Sequence, residues 1–417
     1  MSFAFVRGVA AATMVFAAHA VSAQGVAPAA APPSVAATVA TVAGMPPVAD
    51  PANLYSETTA AKLRPDLAGD LSRVYVPHVR SNDVYVIDPA TMKVERKFKV
   101  GLNPQHVVPS WDLRTLWVAN NAENTKHGSL IPIDPKTGKH GKAIPVDDPY
   151  NMYFTPDGKS AIIVAEAMKR LDFRDPATMQ LQYSIEVPKC AGINHADFSI
   201  DGTFAIFTCE FSGTIAKIDL VKRKVLGHTQ MIQPGRPTKI VKGPDGKDEI
   251  ICTTWKGMPQ DIRASPDGRT FYVADMMADG IHVVDGDTFR QVGFIETGKG
   301  THGLYPSRDG KKLYVANRGS NKIHGKPSGM GSVSVLDFAT RKVEANWPIP
   351  GGGSPDMGNV SADGKMLWLS GRYDNVVYAF NTGTGAVTII PVGTEPHGLT
   401  VWPQPGRYSL GHTGNLR

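Results

Sequence analysis

Residues 259–285 read PQDIRASPDGRTFYVADMMADGIHVVD, and they contain three short strands joined by two tight turns. The first turn, residues 265–268 (SPDG), places glycine where a positive φ is convenient. Residues 271–275 are rich in aromatic and β-branched side chains, as β-strands are. Residues 290–295 continue the pattern as a fourth, outer strand. The block therefore predicts one small four-stranded antiparallel sheet.

Similar blocks recur along the chain and point to a repeat architecture. They are spaced 41 to 66 residues apart and begin near His106, Asn151, His195, Asp261, His302, Asp356 and His397. A repeat of several short strands about every 40 residues is typical of β-propellers. Residues 73–78 lack a preceding first strand, and residues 397–402 supply one at the other end of the chain. We therefore predict an all-β, seven-bladed β-propeller whose N- and C-terminal strands close one blade. Eight blades would require a full strand at residues 407–412.

The ends of the chain differ in composition from the repeats. Residues 1–23 have the pattern of a secretory signal peptide, although a non-cleaved anchor is an alternative. The Ala/Pro-rich residues 24–69 predict a flexible spacer, 70–404 the propeller, and 405–417 a tail over the seam of the closed blade. Export predicts a periplasmic or secreted protein. No later stretch is long and apolar enough to span a bilayer, so we predict no membrane span in the mature chain.

Composition restricts the partners. The formal net charge is +6, spread over 417 residues without a Lys/Arg cluster of the kind that binds nucleic acid. This charge favours a small anion or an acidic partner protein, although a solvated surface explains it as well. The absence of a CxxCH motif argues against c-type haem, and the absence of a Walker loop argues against a nucleotide.

Polar residues of the repeats are predicted to meet on one face of the disk. In antiparallel sheets the start of each first strand lies beside the end of the second strand, and first strands line the central channel. The opposite turns carry Asp-Gly pairs without such a set. The residues predicted at the channel mouth are His78, His106, His195, His302, His397, Glu166, Glu210, Asp261, Asp275, Asp356 and Arg372.

Several imidazoles and carboxylates around one opening suit a transition metal. We predict that the metal ligands come from His78, His106, His195, His302, His397, Asp261 and Glu210. We predict that a bound small molecule contacts Asp275, Asp356, Glu166 and Arg372. Copper is the first candidate, because a His-rich exported site with a thiol at Cys209 suits it. Cys190 and Cys209 flank one blade mouth and predict either a disulfide or a thiolate ligand.

Structural roles compete with these assignments. His302 and His397 could bond neighbouring loops, and Asp261, Asp275 and Asp356 could cap loops. A calcium-dependent lactonase or lyase is a further alternative, for which Asn120, Asn151, Glu166 and Asp275 are the candidate ligands.

Four tetrapeptides and two tripeptides resemble motifs of the YVTN-repeat β-propeller family. The tetrapeptides are residues 272–275 (YVAD), 314–317 (YVAN), 117–120 (WVAN) and 75–78 (YVPH), and the tripeptides are 301–303 (THG) and 396–398 (PHG). The resemblance covers residues 70–404 and implies the propeller fold without implying an activity. The chain is also distantly similar to copper and haem d1 propeller proteins, from which no full ligand set carries over.

These observations favour a metal-dependent oxidoreductase that acts on a small, anionic ligand, with a periplasmic electron carrier or another protein as its partner. The alternative is a non-catalytic ligand- or protein-binding propeller that accompanies a periplasmic redox system.

Overall fold

The computed structural model describes residues 38–417 apart from 243–245, 247, 324–329, 413 and the side chain of Glu249. The predicted signal peptide and spacer residues 24–37 lie outside the described part. None of the helices in that part has the length and apolarity to cross a lipid bilayer.

The described residues form seven four-stranded antiparallel sheets and one two-stranded hairpin. The strands of the first half are β1 (Arg73–His78), β2 (Asp83–Asp88), β3 (Lys93–Lys99), β4 (Pro104–Pro109), β5 (Leu116–Asn120), β6 (His127–Ile133), β7 (Ile144–Asp147), β8 (Pro149–Phe154), β9 (Ala161–Ala165), β10 (Arg170–Arg174), β11 (Leu181–Glu186), β12 (Ile193–Phe198), β13 (Phe204–Cys209), β14 (Thr214–Asp219) and β15 (Lys224–Gln230). Those of the second half are β16 (Thr238–Lys242), β17 (Asp248–Cys252), β18 (Pro259–Ala264), β19 (Thr270–Asp275), β20 (Gly280–Asp285), β21 (Arg290–Glu296), β22 (Thr301–Pro306), β23 (Lys312–Asn317), β24 (Ser332–Asp337), β25 (Lys342–Pro348), β26 (Pro355–Val360), β27 (Met366–Gly371), β28 (Val376–Asn381), β29 (Val387–Pro391) and β30 (Thr400–Trp402).

One blade joins the two ends of the propeller. Its strand order is β3-β2-β1-β30, and Arg73 pairs with Trp402 across the closure. Each other blade takes four consecutive strands, and its inner strand is β4, β8, β12, β18, β22 or β26. This closure removes the open edges of the blade ring. The predicted seven-bladed propeller with closure by the terminal strands is confirmed.

A β-bulge opens each of these six inner strands. The register with the second strand shifts between Pro104 and His106 in β4 and between Ile193 and Ala196 in β12. Strands β8, β18, β22 and β26 shift at the equivalent place. A bulge bends a strand locally and re-aims a side chain. Polar residues therefore turn into the channel, while the apolar residues that follow them pack between blades.

Part of the predicted spacer is packed structure. Residues 38–69 contain three short 3-10 turns, at Ser56–Thr58, Ala60–Lys62 and Pro65–Leu67. Leu54, Tyr55 and Leu67 are buried among side chains of the blades. The prediction of a flexible spacer up to residue 69 is therefore wrong for these residues, because their apolar side chains are buried against the blades of the propeller.

This N-terminal segment runs along the turns opposite the predicted channel mouth. The backbone N–H of Val42 donates to Asp201, that of Leu54 to Pro266 and that of Leu71 to Pro135. All three acceptors lie in turns between strands at that end of the disk. The segment therefore covers part of the face opposite the predicted channel mouth.

The C-terminal tail lies in the channel and not over the seam, which corrects the prediction for residues 405–417. Gly411 bridges Tyr153 of β8, and the backbone N–H of His412 donates to the carbonyl of Met152 at 2.9 Å. Tyr408 and Leu410 join the apolar cluster between the third and fourth blades. Arg417 reaches the Asp197 carboxylate of β12 at 2.6 Å. The tail pairs with an inner strand because the free edge of that strand lines the channel.

Cys190 and Cys209 form a disulfide, so neither offers a thiolate to a metal. The bond links the segment before β12 to the end of β13, and the two residues are 19 apart in sequence. Cys252 is a buried free thiol.

Removing the disulfide is expected to destabilise the propeller. A disulfide that closes a loop of this size raises the free energy of the unfolded chain by about 3 kcal/mol, because it reduces the conformational entropy of that chain. The double variant Cys190→Ala/Cys209→Ala should lose about that much free energy of unfolding in a guanidinium titration. A reductant should lower the stability of the wild type to a similar level and leave the variant unchanged. A wild type that is insensitive to reductant would contradict the prediction.

Candidate functional site

Three histidines from distant parts of the chain form a compact group, which we call the imidazole triad. His106 starts β4, His195 starts β12 and His412 comes from the C-terminal tail. One ring nitrogen of each lies within 4.8 Å of those of the other two. All three side chains are fully buried. The triad can hold a metal ion, since imidazole is a ligand for several transition metals.

The triad is uncharged near neutral pH. Burial, and then the neighbouring His412, hold the pKa values of His106 and His195 well below the usual range. Burial, and then Arg263, do the same for the pKa of His412. Neutral imidazole is the form that binds metals. The site therefore presents lone pairs without first having to lose protons.

Asn151 of β8 holds two rings of the triad. Its side-chain nitrogen lies 3.0 Å from His195 Nδ1 and 3.1 Å from His412 Nδ1. The other nitrogen of His195 and both nitrogens of His106 have no hydrogen-bond partner among the described residues. Buried polar atoms without partners are uncommon and call for an explanation. A ligand bound at the triad would provide one.

Metal ligation through Nε2 places the ring proton on Nδ1. The oxygen of Asn151, rather than its nitrogen, would then have to face both rings. Hydrogen bonds of this kind fix the tautomer of ligating histidines.

Gly398 allows His106 to enter the channel. A Cβ atom at Gly398 would lie 1.9 Å from His106 Nδ1, which no side chain could tolerate. The backbone N–H of Val107 also donates to the Gly398 carbonyl at 2.9 Å. The glycine after His397 is therefore required for the close approach of the closing strand to β4.

A second group adjoins the triad and is centred on Asp356 of β26. Its members, which we call the Asp356 cluster, are Asp356, His302, His397, Arg318 and Arg372. The Asp356 carboxylate lies 2.6 Å from Arg318 Nη2, 2.9 Å from His302 Nδ1 and 3.5 Å from His397 Nε2. The His397 ring is 4.8 Å from that of His106, so the two groups are continuous.

Charge in the Asp356 cluster is nearly balanced. Burial disfavours the Asp356 anion, but Arg318 and His302 outweigh it and hold the carboxyl pKa well below its usual range. Burial and Arg318 lower the pKa of His302 to about 4. Arg372 lies between Asp356, at 3.7 Å, and Glu395, at 3.0 Å. The two guanidinium groups thus share two carboxylates, while the imidazoles remain neutral.

Tyr150 closes the triad on the side of the mouth. Its ring lies 5.4 Å from that of His106 and 6.0 Å from that of His195. Tyr150, Glu210 and Arg372 keep 6 to 8 % of their surface exposed, whereas the triad keeps none, so the approach to the triad passes between them. Burial and Glu210 raise the pKa of Tyr150 well above the usual value, which keeps the hydroxyl a donor.

Two carboxyl groups flank this approach. Glu210 accepts hydrogen bonds from Asn194 at 3.0 Å and from Gln260 at 2.9 Å. Burial raises the pKa values of both Glu210 and Glu166, and the nearby Glu210 carboxylate raises the pKa of Glu166 further. Glu210 is therefore a hydrogen-bonding group at the mouth, and it is not in the triad.

Two predicted site residues, His78 and Asp275, make contacts of a structural kind. His78 lies between Asp83, at 3.2 Å, and the backbone N–H of Gly393, and it does not join the triad. Asp275 accepts hydrogen bonds from three backbone N–H groups, those of Met258, Met277 and Ala278.

Asp261 lies on the inner side of the triad. Its carboxylate is 2.8 Å from Arg263 and 3.6 Å from His412 Nε2, and it accepts the backbone N–H of Leu304. Arg263 and a backbone N–H already bind the Asp261 carboxylate, so Asp261 supports the triad without belonging to it.

Sequence reasoning missed His412 and Arg318. His412 follows the last strand and belongs to no repeat, so the repeat pattern gave no signal for it. The pattern of buried Tyr408, Leu410 and Leu416 could have indicated that the tail is packed. Arg318 follows the end of β23 just as Arg372 follows the end of β27, so the repeat register itself could have identified it.

Known proteins share this architecture. A family described as YNCE-like beta-propeller matches residues 30–178 and 252–405. A family described as Lactonase, 7-bladed beta-propeller matches residues 147–325. No curated protein matches the chain.

Solved structures show the same fold at low identity. Hydrazine synthase of Kuenenia stuttgartiensis is 18% identical with a TM-score of 0.55, over 79% of this chain and 95% of that one. A putative 6-phosphogluconolactonase from Bacteroides uniformis is 17% identical with a TM-score of 0.56, over 79% and 98%. A protein of unknown function from Desulfotomaculum acetoxidans is 13% identical with a TM-score of 0.54, over 78% and 100%. At this identity the likeness concerns the fold alone.

Proposed function

This chain belongs to the YNCE-like β-propeller family, and we propose that it is an exported, periplasmic or secreted, copper protein acting in redox chemistry on a small anionic ligand. The imidazole triad holds the metal. The observation that carries the proposal is three fully buried, neutral histidines whose ring nitrogens converge within 4.8 Å. Both ring nitrogens of His106 and Nε2 of His195 have no hydrogen-bond partner among the described residues.

Copper is favoured over other divalent metals by the donors. Three nitrogen ligands suit copper, zinc, iron and nickel, and among first-row divalent ions copper forms the most stable complexes with such donors. Calcium prefers six to eight oxygen ligands, which the triad does not supply. The disulfide removes the thiolate considered from the sequence, so the centre would be an all-nitrogen one.

The residues around the triad support an anionic ligand. Bound copper would supply one-electron chemistry. Asn151 contacts two rings, and Tyr150, whose hydroxyl keeps its proton, lies beside the triad. Arg372 adds a guanidinium group at the same mouth, and guanidinium binds small oxyanions through paired hydrogen bonds.

Metal analysis tests the proposal directly. The protein would be purified without an affinity tag that binds metals, stripped with chelator and titrated with Cu(II), Zn(II) and Ca(II). We expect one equivalent of copper, bound more tightly than zinc, and no calcium binding. A protein that takes up no transition metal at micromolar concentration would overturn the proposal. Reduction of bound copper, followed spectroscopically, tests the redox role separately.

Copper affinity should be nearly constant from pH 8 to pH 6. Protons compete with metal only below the pKa of the imidazoles, and burial lowers the pKa of all three well below 6.5. Affinity should therefore fall only in more acid solution, where the rings begin to take up protons. Titrations at several pH values in a non-coordinating buffer check this. A tenfold loss between pH 8 and pH 6.5 would indicate imidazoles of ordinary basicity.

Hydrolysis of a lactone is the second candidate function. The match of residues 147–325 to the lactonase family favours it. A zinc ion bound by three histidines with an open position suits hydrolysis. Assays of the zinc- and copper-loaded protein on a panel of lactones decide between the two. Lactone turnover by the zinc form, without redox activity of the copper form, would favour hydrolysis.

A further inference from the structure

The face of the disk around the channel mouth, which we call the site face, carries unusual surface chemistry. It is made by the loops that join second to third strands and fourth strands to the next inner strand. The described loops and hairpin relevant here are residues 100–103, 121–126, 166–169, 187–192, 210–213, 231–242, 248–258, 276–279, 297–300, 318–323, 330–331 and 372–375. The N-terminal segment packs on the opposite face, so the site face is the one it leaves uncovered.

Exposed lysines surround the channel mouth on the site face. On this face, those that form no salt bridge with any residue in the described part of the chain are Lys126, Lys169, Lys189, Lys239, Lys256, Lys299 and Lys322.

Exposed acids on this face offset little of that charge. Asp248 already pairs with Lys242, and Asp374 accepts two hydroxyl groups. Asp147 pairs with Arg170, and Glu186 and Glu296 lie at the outer ends of fourth strands. The loops around the mouth therefore present a net positive surface.

Apolar side chains are exposed on the same face. Among the described residues, the large apolar side chains exposed there are Leu102, Phe211, Ile240, Ile250, Met277 and Met330. One such residue, Val221, lies in a turn of the opposite face, and the others lie on outer strands. Interaction surfaces between proteins combine exposed apolar side chains with a polar or charged rim.

We propose that the site face docks an acidic protein, whose apolar residues contact Phe211 and Met277 while its carboxylates meet the lysines. Charge complementarity selects this occupant, because opposite potentials steer association and exclude partners of like charge. The proposal does not depend on the metal at the triad, since none of these lysines contacts it.

Two peptides and two matched quadruple variants test the proposal. The probes are a 20-residue polyglutamate and a glutamate peptide of equal length that contains three leucines. The site-face variant is Lys126→Gln/Lys169→Gln/Lys189→Gln/Lys299→Gln. The opposite-face control is Lys136→Gln/Lys139→Gln/Lys222→Gln/Lys365→Gln, in turns at the other end of the disk.

The site-face variant should bind both peptides at least about tenfold more weakly than wild type, and the control less than about twofold. The variant Phe211→Ser/Met277→Ser should lose the extra affinity for the leucine peptide and keep that for polyglutamate. Equal losses in the two quadruple variants would overturn the proposal. Tighter binding to phosphatidylglycerol vesicles than to either peptide would assign the face to a membrane and also overturn it. Copper content of each variant, measured in parallel, reports on the triad alone.

Discussion

Replacing His412 with alanine is expected to weaken copper binding at least about a hundredfold, although the residue lies only five positions before Arg417. It supplies one of three ring nitrogens within 4.8 Å of one another. Loss of groups that merely orient metal ligands already costs 10- to 100-fold in affinity, so loss of a ligand should cost at least as much. Competition with a chromogenic chelator measures the change.

Two further variants separate a ligand role from general damage to the fold. His195→Ala should weaken copper binding to a similar extent, because its ring is an equivalent member of the triad. His127→Ala is the matched control, since the His127 side chain is 84% exposed and does not belong to the triad. Copper affinity that is unchanged in His412→Ala, with the chain folded by circular dichroism, would show that the tail does not complete a metal site.

Replacing Asp356 with asparagine is expected to lower the free energy of unfolding by about 3–5 kcal/mol, the usual result of removing one partner of a buried ion pair. Arg318 would remain buried without a carboxylate, and His302 would lose its nearest acceptor. The loss should be measured by denaturant titration at pH 7. Asp363→Asn is the control, because its carboxylate is 54% exposed on the opposite face.

The pH dependence of this variant has a defined sign. The pKa of Asp356 is held well below its usual value in the folded protein. A carboxyl of this kind contributes stability above its unfolded pKa, about 3.9, and the contribution disappears as the pH falls through the folded pKa. The difference between wild type and Asp356→Asn should therefore persist from pH 7 to pH 5 and shrink in strong acid.

A double variant tests whether the charge of Arg318 is the cause. Asp356→Asn/Arg318→Met removes both members of the closest pair, and removal of both is far less costly than removal of one. The double variant should be more stable than Asp356→Asn alone. If Asp356→Asn unfolds at the same denaturant concentration as the wild type, the Asp356 cluster does not stabilise the fold in the way described.

The repeat pattern predicted the blades and the identity of most inner-strand site residues. A β-strand alternates its side chains with a period of two, and turns require particular residues, so local sequence carries both signals. His106, His195, His302, His397 and Asp356 could be placed at the channel because they occupy equivalent positions in separate repeats. Their convergence follows from the symmetry of the architecture and needed no side-chain detail.

Local patterns could not separate a ligand from a residue that bonds a loop. His78 ends a second strand and His106 lies at the start of an inner strand on the same face of the disk, and His78 contacts Asp83 and Gly393 while His106 enters the channel. The difference depends on which backbone lies within a few ångströms, as Gly398 does for His106. Such distances are set by packing between blades.

The amino-acid sequence by itself determined the seven-bladed ring, because each repeat encodes its own strands and turns. Only the tertiary structure brought His412 to His106 and His195. The tail has no repeat to predict its place, and it reaches the channel because its backbone pairs with the free edge of β8 and its apolar side chains pack between blades. Contacts between segments more than 200 residues apart in sequence therefore decided which imidazoles could share a ligand.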